Sequence, residues 1–335
     1  MTKTRSTGKI VDMKVKLSTS DYLRNSDRFI DGLDFSDPKR LIIYSHPKWL
    51  NVHPAILTLL ASMALKAGKE NVKFDNLTAL SGAYLDRMGL FNFVSEESPY
   101  NINKKEESGR FIPLTIIKNS IEQSKFITDM IPLLHLPVGQ TDVIKYTVGE
   151  LIRNVLEHSQ SRDGAIVAAQ YYKKSNTIRL GICDNGIGIK KSMQKHWQSR
   201  TKTDLDAIKW ALVPGISGTT SREGGTEDNA GAGLFFIKSI AQIARNYFMI
   251  YSGSGVYRLL LHDKRVKNPR LHSNPDDDRH SDRNDAPHFN GTLVAIDLSL
   301  ETKTEFTSLL SVIRDVYGSA IRERKKRKYK EPKFV

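Results

Sequence analysis

Cysteine is almost missing from this chain of 335 residues: Cys183 stands alone. One thiol excludes an internal disulfide and any metal centre built on several cysteines. Long apolar runs are missing too. The longest, Ala55–Leu65, is broken by Thr58 and Ser62 and falls short of the ~20 residues that a membrane-crossing helix needs. Met1–Lys16 carries basic residues but no apolar stretch ahead of a cleavage site, so no secretory leader is expected. There is no internal repeat, and no G-x-x-x-x-G-K-[S/T] occurs, which disfavours a P-loop nucleotide site. With 39% hydrophobic and 26% charged residues, the composition is that of folded domains, and a cytoplasmic protein without a membrane span is expected.

What is present in excess is positive charge. Lysine and arginine number 51 against 37 aspartates and glutamates, a net +14. The excess concentrates at the end, where Ile321–Val335 holds eight basic residues and only Glu323 and Glu331 to oppose them. Such a tail suits a phosphate backbone or an anionic surface, so the stretch Arg322–Lys333 is a candidate nucleic-acid contact. A merely solvated tail is the equal alternative.

Composition divides the chain. Residues 96–110 are polar and charged, and read as a linker between residues 1–95 and residues 111–318, with the basic tail at 319–335. Within the larger part, residues 263–290 hold few residues able to enter a core and read as a solvated insertion between two strands. Their Asp, Arg and His alternation shows no repeated ligand spacing, so a metal site is disfavoured there. Before the linker, Arg40–Tyr44 reads as a strand, Pro54–Ala67 as a helix closed by Gly68, Val72–Phe74 as a strand, and Ala79–Met88 as a helix capped by Gly89. Strand, helix, strand, helix predicts a small α/β layer. Its order and its ending YLDRMGLFNFV resemble a STAS domain. That family often carries a phosphate-accepting serine at the start of the first helix, but Asn51-Val52-His53-Pro54 offers no hydroxyl.

After the linker, Asp142–Ser159 has a helical apolar stripe at Ile144, Val148, Leu151, Ile152 and Val155. At ~100° per residue, Glu150, Asn154 and Glu157 form one polar line on the opposite side. Thr177–Cys183 alternates as a strand and runs into Asp184-Asn185-Gly186-Ile187-Gly188. An aspartate at a strand end is free to accept hydrogen bonds, and the glycines let a backbone approach a flat ligand. Gly231-Ala232-Gly233-Leu234 opens the apolar helix Leu234–Ala244, whose first N–H groups suit phosphate oxygens. Gly291-Thr292 precedes the strand Leu293–Leu298. Each piece taken singly has an ordinary structural reading: a solvated helix face, a turn, a buried helix, a strand.

In this order the four pieces resemble the boxes of the GHKL superfamily, the gyrase, Hsp90, histidine-kinase and MutL-type ATPases, over about residues 110–300. The resemblance implies an α/β (α+β) architecture: a mixed sheet with helices layered on one face, preceded by the small STAS-like domain. It implies ATP and Mg²⁺ as ligands. Asn154 would reach the metal, and Glu150 would be the catalytic residue that orients or deprotonates water. Asp184 would accept the adenine amine, with Gly186 and Gly188 shaping the base pocket and Thr292 bonding near Asp184. Gly231, Gly233 and Leu234 would hold the phosphate end, under a mobile lid at about 190–230. Lys202, Arg222 and Lys238 are the candidates for the γ-phosphate. His158 is expected to pack beside the helix, Trp197 and Trp210 to anchor lid helices, and Cys183 to be buried in its strand. The functional expectation is an ATP-hydrolysing regulatory switch on a protein partner, and the family implies a homodimer. One alternative is an ATP-gated dimeric clamp or sensor on nucleic acid in a bacterial stress or anti-phage system. Another is a serine/threonine kinase of the anti-sigma type.

Overall fold

The computed structural model describes residues 12–17, 23–35, 40–48, 52–75, 77–100, 111–129, 140–221, 232–261, 270–299 and 306–330. The N-terminal part runs β1 (Asp12–Leu17), α1 (Asp27–Asp31), β2 (Arg40–Ser45), α2 (Pro54–Ala67), β3 (Val72–Asp75), α3 (Ala83–Arg87) and α4 (Leu90–Val94). There follow β4 (Phe111–Ile117), α5 (Ser120–Asp129), α6 (Gln140–Asn154), β5 (Ala165–Tyr172), β6 (Thr177–Asp184), α7 (Gly188–Trp197) and α8 (Asp204–Ala211). The remainder is α9 (Gly233–Ile243), β7 (Phe248–Gly253), β8 (Gly255–Leu259), β9 (His280–Arg283), β10 (Phe289–Ser299) and α10 (Phe306–Lys330). No helix among the described residues is long and apolar enough to cross a membrane.

The mixed helix-and-strand class is as expected. β1, β2 and β3 form a three-stranded parallel sheet. The second sheet has seven strands in the order β4-β5-β6-β10-β7-β8-β9. Every pairing in it is antiparallel, which corrects the expectation of a mixed sheet.

Side-chain alternation shows why this sheet is buried on both faces. Along β6, Ile178, Leu180 and Ile182 enter one core while Cys183 enters the other; along β10, Val294 and Ile296 go one way, Leu293 and Ala295 the other. One face carries α6 and α9, with Leu309 and Ile313 of α10 in the same core. The opposite face is covered by α2, behind which lies the three-stranded sheet, so their core is shared with Ile166, Cys183 and Leu293 of the large sheet. α2 is apolar all round and buried from Pro54 to Ala64, as a helix between two sheets must be. It lies so close to β6 that a Cβ on Gly181 would sit 2.2 Å from the Ala55 Cα, which only glycine allows. The N-terminal part and the large sheet therefore pack as adjoining layers.

The insertion differs from its expectation as a solvated loop. Within residues 270–290, Pro275, Asp278, Ala286 and Phe289 are buried, and β9 extends the sheet. A long-range ion pair ties the segment to α9: the fully buried Lys238 ammonium meets Asp278, which also accepts from the Tyr257 hydroxyl at 3.2 Å. The predicted linker falls largely on residues 101–110, outside the described residues. Before it, Tyr100 donates from its hydroxyl to the Leu77 carbonyl at 2.9 Å.

Candidate functional site

A cavity of about 110 Å³ lies on the α6 and α9 face of the large sheet. Asn154, Asp184, Gly188, Gly233, Leu234 and Thr292 line it. Four segments far apart in the chain thus meet on one wall. They are the end of α6, the end of β6 with its turn, the start of α9, and β10. Its walls combine apolar side chains with a few polar groups, the composition of ligand pockets.

The Asp184 corner is built by backbone. Thr292 pairs with Asp184 across β10 and β6, and the Gly186 N–H donates to Asp184 Oδ1 at 2.7 Å. Asp184 is only 2% exposed. Burial pushes its carboxyl up to about 7, against the opposing effect of hydrogen bonds from the Gly186 and Thr292 backbone. Gly186 does not line the cavity; its role is to cross the α6 terminus, where a Cβ would lie 2.1 Å from the Ser159 carbonyl oxygen. Gly188 takes φ +75°, the left-handed region that favours glycine. The Thr292 hydroxyl lies 3.2 Å from Ser252 Oγ. Ser252 is the member that sequence reasoning missed. It donates to the Gly291 carbonyl at 2.8 Å and accepts from the Ile189 N–H at 3.0 Å, tying β7, β10 and the first turn of α7 together.

The second corner forms where α6 meets the start of α9. A Cβ on Gly233 would be 2.8 Å from Glu150 Oε2 and 3.5 Å from Asn154 Nδ2, so these two α6 side chains abut the first turn of α9. Glu150 does not line the cavity. Its carboxylate accepts from Arg153 Nη2 at 2.6 Å. Burial pushes its carboxyl above the usual range, Arg153 opposes that, and Glu157 adds to the rise. Asn154 Nδ2 is buried without a hydrogen-bond partner, an unmet demand that a ligand in the cavity would satisfy. α6 ends in a π-turn, Val155–Ser159, a distortion that often accompanies functional sites. That turn brings His158 onto the cavity wall, where burial lowers its basicity and Glu157 partly restores it.

Other expected site residues fall elsewhere. Lys238 points away from the cavity into its pair with Asp278, which removes it as a phosphate ligand. Lys202 is exposed and does not line the cavity. Gly231, Arg222 and the stretch 222–231 of the predicted lid lie outside the described residues. The rest of that lid is packed structure rather than a loose flap. Trp197 and Trp210 meet edge to face at 5.6 Å, and Trp197 Nε1 donates to the Ser217 carbonyl at 2.8 Å. Asp204 of α8 accepts from the Ser254 N–H at 3.0 Å, anchoring the helix to the β7–β8 hairpin. Cys183 is buried, as expected.

Two further clusters belong to the frame. His53 caps α2, its Nδ1 accepting from the Ala55 N–H at 3.0 Å; this leaves Nε2 to donate to Asp297 of β10 at 2.9 Å. His53 is therefore an inter-layer contact, fully buried. Asp276, His280 and Asp282 converge as metal ligands would, but Lys209 Nζ bridges the two carboxylates at 2.6 and 2.5 Å. Compared with protein-family models and with curated proteins, the chain matches none.

Proposed function

We propose that the protein binds Mg²⁺-ATP in this cavity and that hydrolysis at the site switches its action on a partner protein. The observation that carries the reading is the convergence on one cavity of Asn154, Asp184, Gly188, Gly233 and Thr292, five of the residues singled out by the resemblance to GHKL ATPases. A buried carboxylate at a strand end suits the exocyclic amine of adenine, which donates hydrogen bonds. The first turn of α9 offers backbone N–H groups and the positive end of an eleven-residue helix to an anion. Magnesium, when bound, supplies charge neutralisation on the phosphates. In this reading Asn154 contributes a neutral oxygen to the metal, and its unsatisfied Nδ2 donates to a phosphate oxygen beside it. Glu150, beside Asn154 at the α9 terminus, holds and deprotonates the attacking water.

The test is incubation of the full chain with γ-labelled ATP and Mg²⁺, separating free phosphate from protein-bound label, with Glu150→Gln and Asp184→Asn beside wild type. Free phosphate that disappears in both variants supports the ATPase reading. Label on a serine or threonine replaces it with the kinase reading. ATP that binds through Asp184 but is neither cleaved nor transferred removes the role given to Glu150.

A further inference from the structure

Arg153 is the only lysine or arginine among the described residues that line the cavity. It stands between the two residues given roles on α6, next to Asn154 and one turn from Glu150. Its side chain is 43% exposed; one donor is spent on Glu150 and Nε lies 3.8 Å from Glu157 Oε1, which leaves further donors of the five for a ligand. That one donor reaches Glu150 Oε2 at 2.6 Å, and the same oxygen is the atom closest to a Cβ built on Gly233. The Glu150 carboxylate is therefore clasped between a guanidinium and the first turn of α9. Both favour an anion, and a planar guanidinium takes phosphate oxygens in the same paired geometry as carboxylate oxygens.

We infer that Arg153 is the cation that receives the polyphosphate of the nucleotide, and that Glu150 competes with the polyphosphate for it. The inference rests on the nucleotide reading and deepens it: it names the phosphate-binding side chain that the sequence left open among Lys202, Arg222 and Lys238. Only hydrogen bonds are exchanged. Phosphate oxygens take the guanidinium donors, and the carboxylate gives up its Arg153 partner and becomes available to a water beside Asn154. One side chain thereby links occupancy of the phosphate end to release of the base, so the base is freed only when a polyphosphate is present. Lys238 cannot serve, because its ammonium is consumed by Asp278 in the core.

The experiment is calorimetric titration of the full chain with ATP and, separately, with adenosine, both with Mg²⁺. It uses wild type, Arg153→Ala, Arg153→Lys and Glu150→Gln, each checked for an unchanged thermal melt. Arg153→Ala is expected to weaken ATP by about 10-fold to 100-fold, the range for a charged hydrogen-bond partner, and to leave adenosine alone. Arg153→Lys should recover part of the loss. Glu150→Gln should move the other way and tighten ATP, because it removes the competing charge. An ATP-to-adenosine affinity ratio that is the same in Arg153→Ala and wild type overturns the inference while leaving the nucleotide reading intact. A wild type that binds neither ligand overturns both.

Discussion

Replacing Asp184 by asparagine should stabilise the protein at neutral and alkaline pH while weakening the proposed binding of ATP. The carboxyl titrates near 3.8 when unfolded and at about 7 when folded, because burial disfavours its charge. Between those values the folded state holds a proton that the unfolded state has lost. Stability therefore falls as pH rises through this window, by ~1.4 kcal/mol per unit, and levels off above the folded value. A shift of about 3 units makes the full loss on the order of 4 kcal/mol, an upper bound because an ionised group draws in water. Asparagine is isosteric, can still accept from the Gly186 N–H, and carries no charge to bury. Urea unfolding of wild type and Asp184→Asn at intervals from pH 4 to pH 9 isolates this term, since titrations elsewhere cancel in the difference. The variant should gain on wild type steadily up to about pH 7 and then run parallel to it. A difference that does not change with pH would refute the reasoning, whatever its sign, because lost packing or hydrogen bonding gives only a constant offset.

Two further predictions concern the frame. Asp278→Ala leaves the Lys238 ammonium buried and unpaired, and should cost about 3–5 kcal/mol; the double variant Lys238→Met/Asp278→Leu should cost less than that single change, as denaturant unfolding would show. Gly181→Ala drives a methyl into the α2 backbone and should cost about 1–3 kcal/mol, whereas Gly149→Ala meets only ordinary contacts and should be neutral or stabilising by about 1 kcal/mol; thermal melts of the two separate them.

Local pattern carried much of the architecture. The alternation in Thr177–Cys183 and Leu293–Leu298, the apolar stripe ending at Val155 and the apolar helix after Gly233 all correspond to observed elements, within a residue or a few at their ends. Gly89 takes φ +77° between α3 and α4, but the expected helix Ala79–Met88 shortens to a 3-10 turn at Leu80–Gly82 followed by α3. What escaped depends on partners distant in the chain. Asp278 looked like one more residue of a polar loop because nothing nearby reveals that Lys238 lies opposite it. The same pair explains why a lysine on α9 was a reasonable phosphate candidate by sequence and is excluded by packing. Strand direction escaped for a related reason, since alternation shows which face a residue enters and is silent on the orientation of its neighbour. The docking of α2 on β6 is written in Gly181 and Ala55, but small residues signal close approach only once both backbones are seen. At the site, the line Glu150–Asn154–Glu157 was legible from the helical wheel. The π-turn then separates its members, leaving Glu157 exposed while turning His158 to the cavity wall. Arg153, one turn after Glu150, was within reach of the same wheel.

The central claim is that the Asp184 cavity binds ATP, and its most direct test is titration of the full chain with Mg²⁺-ATP at pH 6 and pH 8, for wild type and Asp184→Asn. The carboxylate form is the better acceptor for the adenine amine. With a value of about 7 it makes up about a tenth of the group at pH 6 and nine-tenths at pH 8, so wild type should bind roughly 10-fold more tightly at the higher pH. Asp184→Asn should bind weakly at both. Equal affinity in wild type and variant at pH 8, or no binding by wild type at either pH, would contradict the account.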